Sequence, residues 1–585
     1  MIKLSKHWLT GYLMLIAFQA KILWNFWTGK DLPMGDSAHY FSGACEAFEQ
    51  GTYSLMWSPL YTWFYCVFLN FSSDPYVVTL GHRFVILCAC SILVYEIMRR
   101  LLPAPWGLLV ALWWLVLPAN YDPLYEVHSF AFLFVLLSWL AVSRGNSHWH
   151  RSCAVAILAL AALLIRNELI LMLVPFMFAV AAYEWRQLRR DAEAITSIRN
   201  RLATYAAPWP IVLLIVVYFV SRADRPLNST MEAAREKQAF NFGQIYSFVY
   251  SKTNSDWARK NPWTNYQELV RDKFGSTDVT LGSAFFRNPA DMARHVATNA
   301  FLTVGSLQIS LTGARGIAAN PDYAGNWYLP SYCWVLTLFF AALLVYGLAF
   351  FVCNQRTSHP HFSQFPWLWI LLACAVFHGL FVCLAIVPRP AFVFPMNLAI
   401  MAVIALGAHL VCERNKFFGR ARVLTLPALI FLWCLAPSPW SHSNQLRWNK
   451  EAVHALIPHR DDMFSRRHQS VVLTSDQPEP AVRYALRGQV VLTQSLFDIL
   501  RDNADDTTLS EYLTTKAVWM LHLDGRTLGE PLVVSFIENA KSNGWTIRAI
   551  NDPGTPEWRL YVRVERCQVH ETSLESDVTA NIGMP

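Results

Sequence analysis

The chain has 585 residues, 54% of them hydrophobic and 15% charged, against roughly 25% charged in an ordinary soluble protein, which argues against a wholly soluble enzyme. Its 24 Trp, within an aromatic content of 14%, suit rings seated at bilayer interfaces. Lys+Arg exceed Asp+Glu by seven, 48 against 41; cytoplasmic loops give a membrane protein such an excess, so no nucleic-acid partner is expected.

In chain order, Lys3, Lys6 and His7 precede an apolar run over 8–26 that has no small-residue cleavage site, which reads as an uncleaved first helix. Further runs follow at 78–98, 105–121, 123–143, 152–165, 168–184, 204–221, 331–353, 366–387, 391–412 and 421–437. Against a hydrocarbon core of about 30 Å they make about eleven transmembrane helices. Basic residues fall in alternate connections: Lys3/Lys6, Arg99/Arg100, Arg144/Arg151, the arginines from Arg186 to Arg201, Arg356, and Arg414 to Arg422. Placing all of these inside sends 27–77, 119–124, 222–330 and everything after about 438 to the outer face.

Within the first outer loop, Ser58 to Phe71 is apolar but short and begins with Pro59, so it is expected to lie at the outer interface rather than to span. Residues 222–330 are too polar to span and read as an ordered outer loop with short helices. No internal repeat stands out. Most of the twelve cysteines sit in apolar runs as small hydrophobes; Cys45, Cys333 and Cys567 lie where an oxidising compartment can reach them. After residue 438, strand-like runs at 470–474, 489–493, 517–523 and 558–564 alternate with helical patterns at 478–486, 495–503 and 530–542. The expected architecture is a polytopic α-helical membrane domain over 1–437, with outer loops 27–77 and 222–330, followed by a soluble, extracytoplasmic α/β domain over 438–585. No Gly-rich phosphate fingerprint follows any of the strands.

Asp36 follows Gly35 at the membrane surface, with His39, Tyr40, Glu46 and Glu49 behind it. The bland reading is a helix cap; the functional one is a base that takes a proton from an acceptor hydroxyl. In NYDPLYEVHS, Asp122 precedes Pro123 and Glu126 lies one turn on, so the two carboxylates can share a face, either favoured by the helix dipole or in use. Arg166 and Glu168 interrupt an apolar run, as a self-satisfied pair or with Arg166 on a phosphate. Arg389 stands between Pro388 and Pro390 at the outer mouth of the next span. Arg83 reads as snorkelling, and Arg294 and His295 as solvated helix face. The remaining histidines, His378 within a span among them, form no metal-spacing cluster.

The order of these features resembles the GT-C superfamily of membrane glycosyltransferases, and more narrowly the bacterial relatives of protein O-mannosyltransferases and aminoarabinose transferases. The local motifs are at 35–61, 120–130, 166–175 and 388–395 within about 8–437. The resemblance implies a bacterial cytoplasmic (inner) membrane enzyme that moves a sugar from a polyprenyl-phosphate donor to a lipid, glycan or protein acceptor on the extracytoplasmic face. It implies Asp36 as base, His39, Asp122 and Glu126 as an acceptor or second acidic site, and Arg166 and Arg389 as donor-phosphate ligands. Ser37 stands where relatives often carry a second acid, and Phe392 and Phe394 where a Tyr is frequent. A divalent cation held by Asp36, Asp122 and Glu126 fits some members of the superfamily. Two other classes share the polytopic plan, a lipid or polysaccharide transporter and a non-catalytic scaffold that presents the C-terminal module.

Overall fold

The computed structural model describes residues 6–24, 36–72, 74–117, 126–190, 194–312, 331–354 and 365–414, together with short stretches between 428 and 563. Clustering of backbone contacts divides the chain into two units. The first holds 1–24, 51–63 and 83–439, and the second 25–50, 64–82 and 440–585.

The described membrane part is helical. Six helical segments are long and apolar enough to cross a bilayer: Pro75–Leu101, Val127–Arg144, Asn167–Arg189, Arg199–Ser221, Pro366–Ala385 and Phe394–Glu413. They make the chain a multi-pass membrane protein. Shorter apolar helices occupy Leu9–Leu23, Pro59–Leu69, Pro105–Val116, His148–Leu164 and Trp334–Phe350. Apart from 428–430 and 432–433, the run expected at 421–437 lies outside the described residues. The segment starting at Pro59 is an 11-residue helix, about 16 Å long at 1.5 Å per residue, too short to cross.

Along the first unit, α1 (Lys6–Leu23) precedes α2 (Asp36–Gln50) of the second unit, then α3 (Pro59–Leu69), α4 (Pro75–Leu101) and α5 (Ala104–Val116). Next come the pair α6 (Glu126–Arg144) and α7 (His148–Leu164), then α8 (Ile170–Arg190), α9 (Ala194–Ala206) and α10 (Trp209–Ser221). Residues 222–330 supply α11 (Leu227–Ser251), α12 (Tyr266–Phe274), α13 (Leu281–Arg287) and α14 (Pro289–Thr312), and α15 (Ser331–Asn354), α16 (Pro366–Ala385) and α17 (Phe394–Arg414) complete the described bundle. Where α15 crosses α17, a Cβ on Gly347 would stand 2.6 Å from the Val403 carbonyl oxygen, so the backbones meet across glycine, the usual device for close packing in lipid.

The basic helix ends are tied to one another. Arg100 donates to the Ser143 carbonyl at 2.8 Å, and Trp106 at the start of α5 lies 6.2 Å from His409 near the end of α17. Arg151 donates to Glu184 at 2.5 Å and to the Tyr205 hydroxyl at 3.0 Å, while Arg201 reaches Glu184 at 3.4 Å. The buried Arg151 guanidinium also lies 5.0 Å from the rings of both Tyr183 and Trp367. Among the described residues, Arg100, Arg151 and Arg201 each meet an acid, a carbonyl or an aromatic face.

In the second unit, α2 packs Phe41 5.6 Å from Tyr65, whose hydroxyl shares a 2.6 Å hydrogen bond with Thr79 and whose ring stacks on His82 at 4.1 Å. Cys45 is buried. Beyond residue 470 the described residues include five strands in one sheet: β1 (Val471–Thr474), β2 (Val490–Leu492), β3 (Val518–Asp524), β4 (Ile547–Ala549) and β5 (Trp558–Arg563), in the order β2-β1-β3-β5-β4. β1 is parallel to β2, with Val471 opposite Val490, and also to β3; β5 is antiparallel to β3, with His522 opposite Leu560, and to β4. Four strands fall on the runs read from sequence, and β4 was not anticipated. The parallel β1–β2 connection requires a crossover, and the helical pattern at 478–486 that would supply it lies outside the described residues.

Candidate functional site

At the end of the first unit away from the tied basic ends, four segments that carried the sequence motifs come together. The Trp-Ser-Pro turn is fixed first. Ser58, held at a φ of 52°, donates its hydroxyl to the Ile165 carbonyl at 2.6 Å. That carbonyl lies where α7 has ended and helical acceptors are left over, so the turn before α3 is bolted to the residue before Arg166. Tyr61, one turn into α3, packs 5.5 Å from Phe130 of α6. Just before the same turn, Tyr53 donates to the Arg222 carbonyl at 2.8 Å and accepts from Asp224 at 3.0 Å; Lys237 of α11 lies over the Trp57 ring at 3.0 Å.

Arg166 is extended (φ −142°, ψ 110°) before the short 3-10 turn Asn167–Leu169 that starts the next helical segment. Its Nε donates to Glu168 at 2.6 Å. The self-satisfied pair therefore exists, and it leaves the guanidinium 5.8 Å from the ring of Phe392. Phe392 belongs to a second 3-10 turn, Pro390–Val393, whose N-cap is Arg389. The Arg389 guanidinium also lies 5.8 Å from Phe392, and equally 5.8 Å from Trp263. His128 of α6 packs 5.0 Å from the same Phe392 ring. One aromatic ring thus touches two cations and an imidazole from three separate stretches of chain. Aromatic faces attract guanidinium at such distances.

The Arg389 turn is supported by side chains that the sequence reading placed in solvent or passed over. His295 is buried rather than a solvated helix face: its Nε2 lies 3.2 Å from the Ile386 carbonyl. Asn299, one turn along α14, donates to the carbonyls of Leu384 and Ile386, each at 3.0 Å. Together they serve the acceptors that α16 leaves unused at its C-terminus. Burial pushes the His295 imidazole down to about 4, so it is neutral at neutral pH. The available signal was spacing, a His and an Asn at i and i+4 facing an apolar stretch. Arg294, by contrast, is exposed as expected and pairs with Asp291 at 3.2 Å. Phe248, Val249 and Val387 form a small core with Trp263 and Phe392 against it, which brings α11 onto the Arg389 turn. Arg83 is buried instead of snorkelling.

Beneath Phe392 lies a cavity of about 20 Å³ lined by His128, Arg166, Glu168, His378, Phe392 and Pro395 among others. That is room for roughly one water molecule.

Arg166 and Arg389 are therefore brought together. Glu126 opens α6, but its side chain, like Asp122 altogether, lies outside the described residues; α2 opens at Asp36, with the side chains of residues 36–38 likewise outside, and His39 is exposed on it. The carboxylates that a divalent ion would use are among these, and the described residues hold no group of three or more His, Cys, Asp or Glu fit for a metal.

No protein-family model and no curated protein matches the sequence. Among solved structures, the chain is similar to the Archaeoglobus fulgidus oligosaccharyltransferase in its apo form, at 13% identity and a TM-score of 0.42, over 90% of this chain and 70% of that one. It is also similar to ArnT from Cupriavidus metallidurans. The apo state matches at 12% identity over 95% of this chain and 98% of that one, and the form bound to undecaprenyl phosphate at 13% over 95% and 99%, both with a TM-score of 0.33. With TM-scores below 0.5, neither similarity assigns a site or a substrate to this chain.

Proposed function

We propose that the chain is a membrane glycosyltransferase that moves a sugar from a polyprenyl-phosphate donor to an acceptor hydroxyl or amine on the extracytoplasmic face, with inversion at the anomeric carbon. The observation that carries this reading is the pair Arg166 and Arg389, each 5.8 Å from one Phe392 ring. Two guanidiniums held by an aromatic face at the mouth of an apolar bundle suit a phosphate whose lipid tail lies among helices. In this reading they stabilise the charge that develops on the leaving phosphate. Asp36 accepts the acceptor's proton, and His39, Asp122 and Glu126 shape the acceptor side. The domain limits 1–437 and 438–585, the eleven spans, the bacterial inner membrane and an extracytoplasmic α/β domain built on the five-stranded sheet belong to the same proposal.

The test is transfer by the purified chain from a polyprenyl-phosphate sugar, with Asp36→Asn as the decisive variant. It is expected to fold and bind donor but to lose transfer; undiminished turnover would remove Asp36 from the mechanism. Lipid movement across vesicles without sugar transfer would favour a transporter instead.

A further inference from the structure

His378 lies within α16, seven residues before its C-terminal Ala385. It is 2% exposed, and among the described residues neither ring nitrogen has a hydrogen-bond partner. A buried polar group left in this state is costly, so an orphan imidazole needs an occasion on which it is satisfied. Its position is fixed by the next residue. A Cβ on Gly379 would stand 2.6 Å from the Cβ of Met396, so α17 presses on α16 at that point. The ring lines the cavity beneath Phe392, where Glu168 and Arg166 are its charged neighbours. At about 20 Å³ the space admits a water but no phosphate, so His378 acts at one remove from any lipid headgroup.

We propose that His378 is a positioning residue that takes up a proton when a lipid phosphate monoester occupies the Arg166–Arg389 pair. This rests on the donor-phosphate reading of that pair. The charge balance of the reaction gives the reason. The donor is a phosphodiester with one negative charge, and the acceptor hydroxyl is neutral. Transfer forms a bond from the acceptor oxygen to the anomeric carbon and breaks the bond from that carbon to the phosphate oxygen, which keeps the electron pair. The products are a glycoside, a phosphate monoester with a second negative charge, and one proton. In a partly dehydrated site that added charge must be offset. A guanidinium cannot change its charge, and Glu168 already serves Arg166. An imidazole can gain a charge, and a second negative charge nearby favours its protonated form. A protonated His378 beside Glu168 competes for that carboxylate and turns more of Arg166 toward the phosphate.

The titratable groups on the elements packed against α16 are distributed unevenly. His128 from α6 and Arg166 and Glu168 from the 3-10 turn share the cavity. His295 from α14 is engaged with Ile386, Tyr183 and Glu184 lie toward the far end of α8, and His409 and Glu413 toward the far end of α17. On α16 itself Cys374 and Cys383 are buried.

The experiment is calorimetric titration of the full chain in nanodiscs with a polyprenyl monophosphate near neutral pH, in buffers of different ionisation enthalpy, which counts protons taken up on binding. Wild type is expected to take up close to one proton per lipid. His378→Gln should bind more weakly and lose that uptake, whereas Arg389→Gln should bind more weakly yet keep it. Retention of the full uptake in His378→Gln would overturn the role given to His378 and leave the phosphate reading intact. Should the variant not fold, a wild-type uptake of zero overturns the proposal without it. No lipid binding by wild type at any pH would overturn the phosphate reading and the proposal with it.

Discussion

Phe392→Leu isolates what the aromatic ring does for the two arginines. Leucine keeps an apolar side chain on the 3-10 turn but removes the face that lies 5.8 Å from both guanidiniums. Each such contact is worth about 0.5–1 kcal/mol where exposed and about 2 where desolvated. The Arg166 side chain is 22% exposed, between these limits, so the pair together should lose about 1–3 kcal/mol of positioning. At 1.4 kcal/mol per factor of ten, affinity for a polyprenyl phosphate in nanodiscs should fall by roughly 5- to 150-fold, with the melting temperature little changed. Phe392→Tyr, which keeps the face, should bind close to wild type. A double-mutant cycle with Arg389→Lys sharpens the test, since a compact ammonium cannot reproduce the planar contact and the two losses should be less than additive. Wild-type affinity in Phe392→Leu, or full additivity, would show that the ring does not hold the cations.

Three further outcomes follow from the surroundings of the site. Ser58→Ala removes the bond to the Ile165 carbonyl and should cost about 1–3 kcal/mol of stability and raise the donor KM, because the turn before Arg166 is released; an unchanged melting curve would discount that bolt. Glu184→Gln leaves the buried Arg151 charge unmatched and should destabilise by about 3–5 kcal/mol, seen as a large drop in detergent melting temperature that high salt does not restore. His295 has its imidazole lowered by burial to about 4, so the folded state binds fewer protons than the unfolded state over the interval below the ordinary value of about 6.5. Its contribution is complete above that value and is lost as pH falls toward 4. His295→Gln should therefore flatten the acid limb of the stability profile, and an identical limb in both proteins would contradict the assignment.

The paired arginines were legible in the sequence because charge within an apolar run is costly and invites explanation, and Arg166, Glu168 and Arg389 are such charges. Their meeting on Phe392 was not legible, since it depends on how α6, α8 and α17 cross. His295 misled because a polar residue on an outer helix is ordinarily solvated, and only the packing of α14 on the end of α16 buries it. Arg83 misled in the same way, a cation eight residues past the start of α4 that packing enclosed.

By itself the sequence determined what the bilayer and the water demand of each segment: which runs are apolar enough to enter lipid, which connections collect positive charge, and where the strands of the C-terminal sheet begin. Those are local properties, set by hydration and by backbone periodicity, and a short window of residues carries them. Tertiary structure alone decided which of the scattered polar groups share a space, as Ser58 with Ile165, Asn299 with Ile386, and Arg166 with Arg389 across one phenyl ring. These contacts join residues more than a hundred positions apart, or on separate helices, and their geometry follows from close approach of whole helices, which no window of sequence contains.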